Sequence, residues 1–116
     1  MEPIDPKKVQ ETLENLAGKE HYIHLETTNG AYASHNNESF FSAGAFIRNV
    51  PFTFKRGAIK GDGPYRIGLE TDLGWLYAEG LTDWEVMNGG KVLFAGHDHD
   101  GKLAIALQFS PVPFPK

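Results

Sequence analysis

The sequence predicts a small, mostly β protein, an antiparallel barrel or sandwich of about seven to nine short strands with one N-terminal α-helix. Turn signals that contain glycine recur along the chain, and they are Asn29-Gly30, Gly61-Asp62-Gly63-Pro64, Asn88-Gly89-Gly90 and Asp100-Gly101. Asn-Gly and Asp-Gly pairs adopt the positive φ angles that tight hairpins require. The segments between these turns are short and rich in Val, Ile, Phe, Tyr and Thr, as β-strands are.

Length and composition indicate one domain over residues 1–116. Hydrophobic residues make up 41% and charged residues 22%, which is typical of water-soluble proteins. The absence of Cys excludes disulfides, Cys-zinc sites and thiol nucleophiles. There is no apolar run near the roughly 18 residues of a membrane span, and no secretory signal pattern at the start. We therefore expect a cytoplasmic protein without membrane contact.

Residues 5–17 are predicted to form the helix. Asp5 is a suitable N-cap, Pro6 suits the first turn and Gly18 suits the exit. Val9 and Leu13 recur at helical spacing, which gives the helix one apolar stripe. This stripe is expected to cover a sheet face or the open end of a barrel.

Antiparallel strands are predicted over residues 21–110, followed by a Pro-rich tail at 111–116. In residues 21–28, Ile23 and Leu25 point to one face, whereas His24 and Glu26 point to the other. Gly44 marks a bulge or bend. The later strands are predicted at 31–35, 40–48, a short stretch from 51, 58–60, 65–70, 75–81, 84–87, 92–97 and 102–110.

The net charge of −4 and a pI near 5.7 argue against nucleic-acid partners, because such a field opposes phosphate backbones. The best basic patch is Lys55, Arg56, Lys60 and Arg66, which we interpret as charge that flanks turns. Trp75, Tyr77 and Trp84 are either a stacking platform or residues of core or hairpin packing, and packing is the more common role.

A set of charged residues beside apolar neighbours forms the candidate ligand site: His24, Glu26, Arg48, Arg66, Glu79 and His97. If they converge, Arg offers a planar fork to an anionic or zwitterionic ligand, and His with Glu can move a proton. The alternative is that they form cross-strand ion pairs on solvated faces. In strand 75–81, Glu79 is expected on the same face as Trp75, Tyr77 and Leu81.

A metal site has one candidate, the His97-x-His99 pair, because two residues of a strand at this spacing share a face. The alternative is a polar hairpin that ends at Asp100-Gly101. Two ligands without a clear third are a weak signal, so we predict no metal and no cofactor.

Several stretches carry a resemblance to a known family: HLETTNGAYA at 24–33, FSAGAFIRN at 41–49, GDGPYRIGL at 61–69, GWLYAEGLT at 74–82 and AGHD at 95–98. Together they resemble the YojF-like family of small Bacillus-type proteins, a family of unknown function. The resemblance implies a compact, mostly β, cytoplasmic protein and brings no catalytic residues. Genes of this family can lie beside one for a zinc-dependent deacetylase of low-molecular-weight thiol synthesis, so it also implies an accessory role in thiol metabolism with that deacetylase as protein partner.

The functional prediction is an accessory or protein-interaction module that acts as a homodimer, since an aromatic-rich sheet can leave an apolar face for a partner. Whether it is an enzyme stays open, with a non-enzymatic role favoured. The alternative is a small-anion-binding protein or enzyme that uses the His/Glu/Arg pocket. A metal-binding protein is the third candidate.

Overall fold

The structure, a computed structural model, describes residues 1–28 and 43–115. Three sequence-based predictions fall outside the described residues. These are the Asn29-Gly30 turn, the strand at 31–35 and the beginning of the strand at 40–48.

Nine strands and one helix are present in the described residues. Helix α1 spans Pro6–Leu16, and the strands are β1 Glu2–Pro3, β2 His21–Thr28, β3 Ala43–Phe52, β4 Arg56–Lys60, β5 Tyr65–Glu70, β6 Trp75–Leu81, β7 Asp83–Val86, β8 Val92–His97 and β9 Leu103–Ser110. They form a six-stranded sheet in the order β1-β7-β8-β9-β2-β3 and a three-stranded sheet in the order β4-β5-β6. All the pairs are antiparallel.

The prediction of a mostly β, antiparallel protein with an N-terminal helix is thus confirmed. In this part of the chain the larger sheet ends at β1 and β3 instead of closing on itself, so the barrel does not form. The separate strands predicted at 40–48 and from 51 are also wrong, because β3 is continuous. Its register against β2 shifts between Ile23 and His24, because the pairing passes from Val50 to Arg48 and omits Asn49. Asn49 is the extra residue of this bulge, and its φ is 60°.

A second register shift occurs at Gly44, where a bulge was predicted. The pairing passes from Thr27↔Ala45 to Thr28↔Ala43 and omits Gly44. Both irregularities lie in β3, so this strand carries two bulges within its ten residues.

Helix α1 is capped by Asp5, whose Oδ1 accepts hydrogen bonds from the backbone N–H groups of Lys7 and Lys8 at 3.2 and 3.3 Å. Its apolar stripe, which includes Val9 and Leu13, is fully buried. A Cβ at Gly57 of β4 would lie 3.2 Å from Leu13 Cβ, so the glycine permits the close approach of helix and sheet.

The side chain of Gln10 also ties α1 to the edge of β4. Its Nε2 donates to the Gly57 carbonyl at 2.9 Å, and its Oε1 accepts from the Ile59 N–H at 3.1 Å. One amide thereby satisfies two strand-edge groups that another strand would otherwise pair.

The core lies between the two sheets and α1. Phe54, Phe94 and Phe109 form its aromatic centre, with ring centroids 6.1 and 6.3 Å apart. Ile67 and Leu69 contribute from the three-stranded sheet and are fully buried. Residues of both sheets therefore belong to one hydrophobic cluster.

The chain passes from the small sheet to the large one at a corner after β6. Gly80 adopts φ 80°, and a Cβ on Gly96 of β8 would lie only 2.1 Å from the Gly80 carbonyl oxygen. The pairing of β6 with β5 passes from Ala78↔Ile67 to Leu81↔Tyr65, so β6 has one extra residue there, at Gly80. This residue reverses the side-chain alternation, so Leu81 is fully buried while Glu79 faces solvent. The prediction that Glu79 and Leu81 share a face is therefore wrong.

Candidate functional site

The six predicted ligand residues lie at three different places. His24, Glu26 and Arg48 are on the outer face of the six-stranded sheet, in β2 and β3. Arg66 and Glu79 are on the outer face of the three-stranded sheet. His97 ends β8 at the corner between the sheets. The structure does not bring the six side chains into one pocket.

His24 is the centre of the first group, and it is 8% exposed. Arg48 Nη1 lies 3.1 Å from His24 Nδ1, and Glu26 Oε1 lies 3.0 Å from His24 Nε2. A guanidinium only donates, so Nδ1 must accept and Nε2 must carry the hydrogen. Both ring nitrogens of His24 are therefore occupied by side chains of the same sheet.

The C-terminal tail covers this group. Arg48 donates to the Pro115 carbonyl from Nε at 3.1 Å and from Nη2 at 2.7 Å. The Asn49 amide accepts from the Phe114 N–H at 2.7 Å and donates to its carbonyl at 2.9 Å. The Phe114 ring is buried, with Arg48 Cζ at 5.1 Å and Lys91 Nζ at 5.7 Å from its centroid. We call this arrangement of His24, Arg48, Asn49 and Lys91 around the tail the tail seat.

At the corner, His97 Nδ1 lies 3.1 Å from Asp83 Oδ1, and the Thr82 hydroxyl donates to the same oxygen at 2.6 Å. The His97 N–H donates to Thr82 Oγ1 at 3.1 Å. The Thr82 hydrogen bond lowers the pKa of the Asp83 carboxyl, burial partly opposes this effect, and His97 adds to the lowering. These bonds join β7 and β8 beside the Gly80–Gly96 contact.

His99, the partner of His97 in the predicted metal pair, is 90% exposed in its side chain and lies 3.5 Å from Asp100. His97 is bound to Asp83 instead. Among the residues that the structure describes, no group of three His, Asp or Glu side chains is placed to hold a metal ion.

A cavity of about 750 Å³ lies on the outer face of the three-stranded sheet, beside α1. We call it the cationic groove. The side chains that characterise it are Lys55, Arg56, Lys60, Arg66, Trp75 and Tyr77. Gln10 and Glu14 of α1 also line it.

The strand register explains the shape of this groove. Ala58 of β4, Gly68 of β5 and Tyr77 of β6 lie opposite one another in one row across the sheet. Ala58 forms the floor, whereas Gly68 is buried under the aromatic side chains of β6. Helix α1 beyond β4 and those aromatic side chains form the two walls. A Cβ on Gly68 would lie 2.8 Å from Tyr77 Cε1, so the ring of Tyr77 leans over Gly68.

The aromatic wall is a ladder of rings and guanidinium groups. Trp75 and Tyr77 are parallel within 3°, with centroids 5.6 Å apart. Arg56 Cζ lies 5.4 Å from the Trp75 ring, and Arg66 Cζ lies 4.0 Å from the Tyr77 ring. Trp75 and Tyr77 are 43% and 48% exposed, so the core alternative is wrong for both. The contact of Tyr77 with Arg66 of the adjacent β5 is instead packing across a hairpin.

Trp84, the third aromatic of the predicted set, does belong to the core. It is 5% exposed and its ring is stacked on Phe94 at 6.0 Å. The signal in the sequence is Glu79, which follows Trp75 and Tyr77 at the same alternation and marks their face as the solvent side of the strand.

The basic patch that the sequence singled out lines the groove in full. Lys55 binds Asp72 at 3.1 Å, Arg56 binds Glu70 at 3.5 Å and Arg66 binds Glu79 at 3.2 Å. Lys60 has no ion-pair partner among the described residues, and it lies directly opposite Arg66 in the register. The interpretation of this patch as mere turn-flanking charge is therefore incomplete, because the fold gathers it around one cavity.

None of the described segments forms a helix with the length and apolarity needed to span a bilayer.

Comparisons with known proteins agree on one family. The model of a family described as "Protein of unknown function (DUF1806)" matches residues 3–114. The uncharacterized protein YojF of Bacillus subtilis (strain 168) is 50% identical over 114 residues, which is 98% of each chain. The crystal structure of Bacillus subtilis YojF superposes with a TM-score of 0.84 at 44% identity, over 99% of this chain and 97% of that one. The chain therefore belongs to the DUF1806 family of proteins of unknown function.

Proposed function

We propose that this protein is a binding module whose cationic groove holds a small anionic ligand with a planar ring. The observation that supports the proposal is the joint placement of basic and half-exposed aromatic side chains around one cavity of about 750 Å³. A volume of this size falls within the range of small-molecule sites.

The aromatic wall favours a planar group in the ligand. The half-exposed rings of Trp75 and Tyr77 stand beside the low floor at Ala58, so a flat molecule can lie there with its face or edge against them. Stacking of a nucleobase on an aromatic side chain contributes about 1–3 kcal/mol. Tyr77 also covers the backbone at Gly68, whereas Trp75 leans less closely on it, with Cε3 at 3.5 Å from the added Cβ.

The basic side chains favour an anion. Each of the ion pairs at Lys55, Arg56 and Arg66 has at least one partner that is more than 45% exposed in its side chain. Exposed pairs of this kind contribute only about 0–1 kcal/mol, so a ligand anion can share or replace their carboxylates at little cost.

The predicted role as a protein-interaction module is the second candidate. The observation that favours it is Leu73, which is fully exposed in the turn before Trp75. Trp, Tyr and Arg are enriched in protein interfaces, and an exposed Leu beside them extends the apolar area. The homodimer, the deacetylase partner and the link to thiol metabolism stay predictions, and the last two rest on the family resemblance alone.

Isothermal titration calorimetry with phenyl phosphate, benzoate and AMP tests the proposal. We expect at least one ring-bearing anion to bind with a Kd of about 1 mM or below. Binding should quench the emission of Trp75, and the Trp75→Leu variant should weaken binding about tenfold through loss of stacking. Trp84, the other tryptophan, supplies the background emission of that variant.

Phe46→Leu is the matched control, because Phe46 is an exposed ring on the outer face of the other sheet. It should leave the affinity unchanged. If no ring-bearing anion binds, or if both substitutions weaken binding equally, the groove is not the binding site. Sedimentation of the wild type and of Leu73→Ser would then test the interaction candidate, which requires self-association that the substitution weakens.

A further inference from the structure

We infer that the end of the cationic groove at Lys60 and Arg66 binds a phosphate group, and that the ligand class is a phosphate monoester joined to a planar ring. This inference rests on the proposed function and adds which end of the groove takes the anion and what kind of anion it is.

The first step is the charge at this end. Lys60 and Arg66 are cross-strand partners on the same face of the sheet, and both line the cavity. Like charges directly opposite each other destabilise an antiparallel pair. Glu79 lies 3.2 Å from Arg66 and compensates one cation, whereas no described carboxylate pairs with Lys60. The positive charge of Lys60 is therefore not compensated by a described carboxylate, and Lys60 and Arg66 both offer N–H donors at this end of the groove.

The second step is the contrast with the opposite end of the groove. There, Lys55 is paired with Asp72 and Arg56 with Glu70, so each cation brings its own carboxylate. A dianion that approached this end would meet two negative side chains for its two positive ones. Glu14 of α1 adds a third carboxylate to the lining, one helical turn beyond Gln10 toward Gly18, whose N–H donates to the Phe54 carbonyl beside Lys55. At the Lys60 end it meets two cations and one carboxylate, which makes that end the more favourable position.

The third step is hydrogen-bonding capacity. Lys60 has three N–H donors and the Arg66 guanidinium has five. The Arg66 Nε is engaged with Glu79 Oε1, which leaves the terminal nitrogens as donors to a second anion. A phosphate monoester presents three terminal oxygens and carries a charge of about −1.5 to −2 at neutral pH. It can accept from both side chains at once, whereas a carboxylate has only two oxygens and one charge.

The fourth step is the distance to the rings. The row of Lys60 and Arg66 is followed, two residues along β4 and β5, by the row of Ala58, Gly68 and Tyr77. Two residues of a strand span about 6.6 Å. A phosphate at the first row and a ring over the second must therefore be joined directly or by a short linker.

Calorimetry with four probes tests this assignment: phenyl phosphate, AMP, benzoate and inorganic phosphate. Phenyl phosphate carries the phosphate directly on the ring, AMP carries it through a sugar, benzoate lacks the phosphate and inorganic phosphate lacks the ring. We expect one of the two monoesters to bind at least about tenfold more tightly than benzoate and inorganic phosphate, and the better monoester identifies the linker. One charge-assisted hydrogen bond is enough to account for a factor of this size.

Two variants locate the phosphate. Lys60→Gln should weaken binding of the better monoester about tenfold and weaken benzoate less, by about threefold, because a carboxylate has one charge and two oxygens. Lys55→Gln, the same change at the other end of the groove, should alter both affinities by less than about threefold. Lys19→Gln, outside the groove, should alter neither, and thermal unfolding should show that all three variants fold like the wild type.

The pH dependence separates charge from shape. The second ionisation of a phosphate monoester has a pKa near 6, so affinity for the monoester should fall between about pH 7 and pH 5, whereas affinity for benzoate should stay constant. If benzoate binds as tightly as the monoesters, or if Lys55→Gln has the larger effect, the phosphate assignment is overturned while the groove remains a binding site. If no ring-bearing probe binds, the proposed function fails as well.

Discussion

The outer faces of the two sheets carry the same kinds of side chain and differ in what lies over them. On the six-stranded sheet, Phe114 of the chain's own C-terminal tail is buried, and its ring lies against Arg48 and Lys91. On the three-stranded sheet, the Tyr77 ring lies under the Arg66 guanidinium and is half exposed. Cation and ring meet in both places, and the second pair lines a cavity of about 750 Å³.

This difference shows that residue type alone does not identify a binding site. In the tail seat, Arg48 and Asn49 make four hydrogen bonds to the backbone of Phe114 and Pro115. A ligand at that place must replace all of them, at about 1 kcal/mol each. In the cationic groove a ligand displaces water and competes with exposed ion pairs that contribute little. The groove is therefore the better site, and of the six predicted ligand residues it is lined by Arg66.

The largest expected effect on stability comes from Asn49→Ala, which releases the tail from the outer face of the six-stranded sheet. The substitution leaves the buried N–H and C=O of Phe114 without partners and places Ala at φ 60°. The two effects together should lower the free energy of unfolding by about 2–4 kcal/mol, measured by urea denaturation.

Asn49→Gly separates the two causes, because glycine adopts the left-handed region freely and still removes both hydrogen bonds. We expect it to recover about 1 kcal/mol relative to Asn49→Ala. Amide exchange at Phe114 should be faster in both variants. If amide exchange at Phe114 is unchanged, Asn49 does not hold the tail on the six-stranded sheet. The explanation of why one outer face is covered and the other is open would then be wrong.

A smaller effect on stability is expected at the α1 wall of the cationic groove. Gln10→Ala removes the amide that satisfies the Gly57 carbonyl and the Ile59 N–H at the edge of β4. Unpaired, these partly buried groups should cost about 1–3 kcal/mol in unfolding free energy. Trp75→Leu, on the opposite wall, should change stability by less than about 0.5 kcal/mol, because its ring is half exposed.

This pair of substitutions distinguishes the part of the groove that supports the fold from the part that is free to bind. Equal losses of stability from Gln10→Ala and Trp75→Leu would mean that the aromatic wall is structural. The case for a binding surface would then weaken.

Local signals account for what the sequence predicted correctly. The cap at Asp5, the apolar stripe of α1 and the alternation in β2 act over a few residues, so they can be read directly. The facing of Lys60 and Arg66 is also local, because a short hairpin turn fixes the register of the strands that it joins. The groove could have been predicted from the sequence by combining that register with the exposed side of β6.

The remaining features depend on contacts between distant segments or on single irregular residues. Nothing near His24 in the sequence indicates that Phe114 will cover it. The reversal of side-chain alternation at Gly80 depends on one extra residue, and a shift of one residue moves every following side chain to the other face. For these reasons the six charged residues could be chosen by type but not assigned to three separate places.

The smallest effect concerns the corner between the two faces, where Thr82→Val should change the response to acid. The Thr82 hydroxyl is the main cause of the lowered pKa of Asp83, whose ordinary value is near 3.8. A carboxyl with a lowered folded-state pKa stabilises the protein above its unfolded-state value, and the contribution disappears as pH falls through the folded-state pKa. In the variant the pKa of Asp83 should rise, and the stability difference from the wild type should be largest at neutral pH and narrow below about pH 4. Part of the difference should persist at low pH, because valine also removes the acceptor of the His97 N–H.

Carboxyl ¹³C titration by NMR measures the pKa of Asp83 directly. Thr82→Ser keeps the hydroxyl and should titrate like the wild type, whereas an unshifted Asp83 in Thr82→Val would show that the corner is not held by this hydrogen bond.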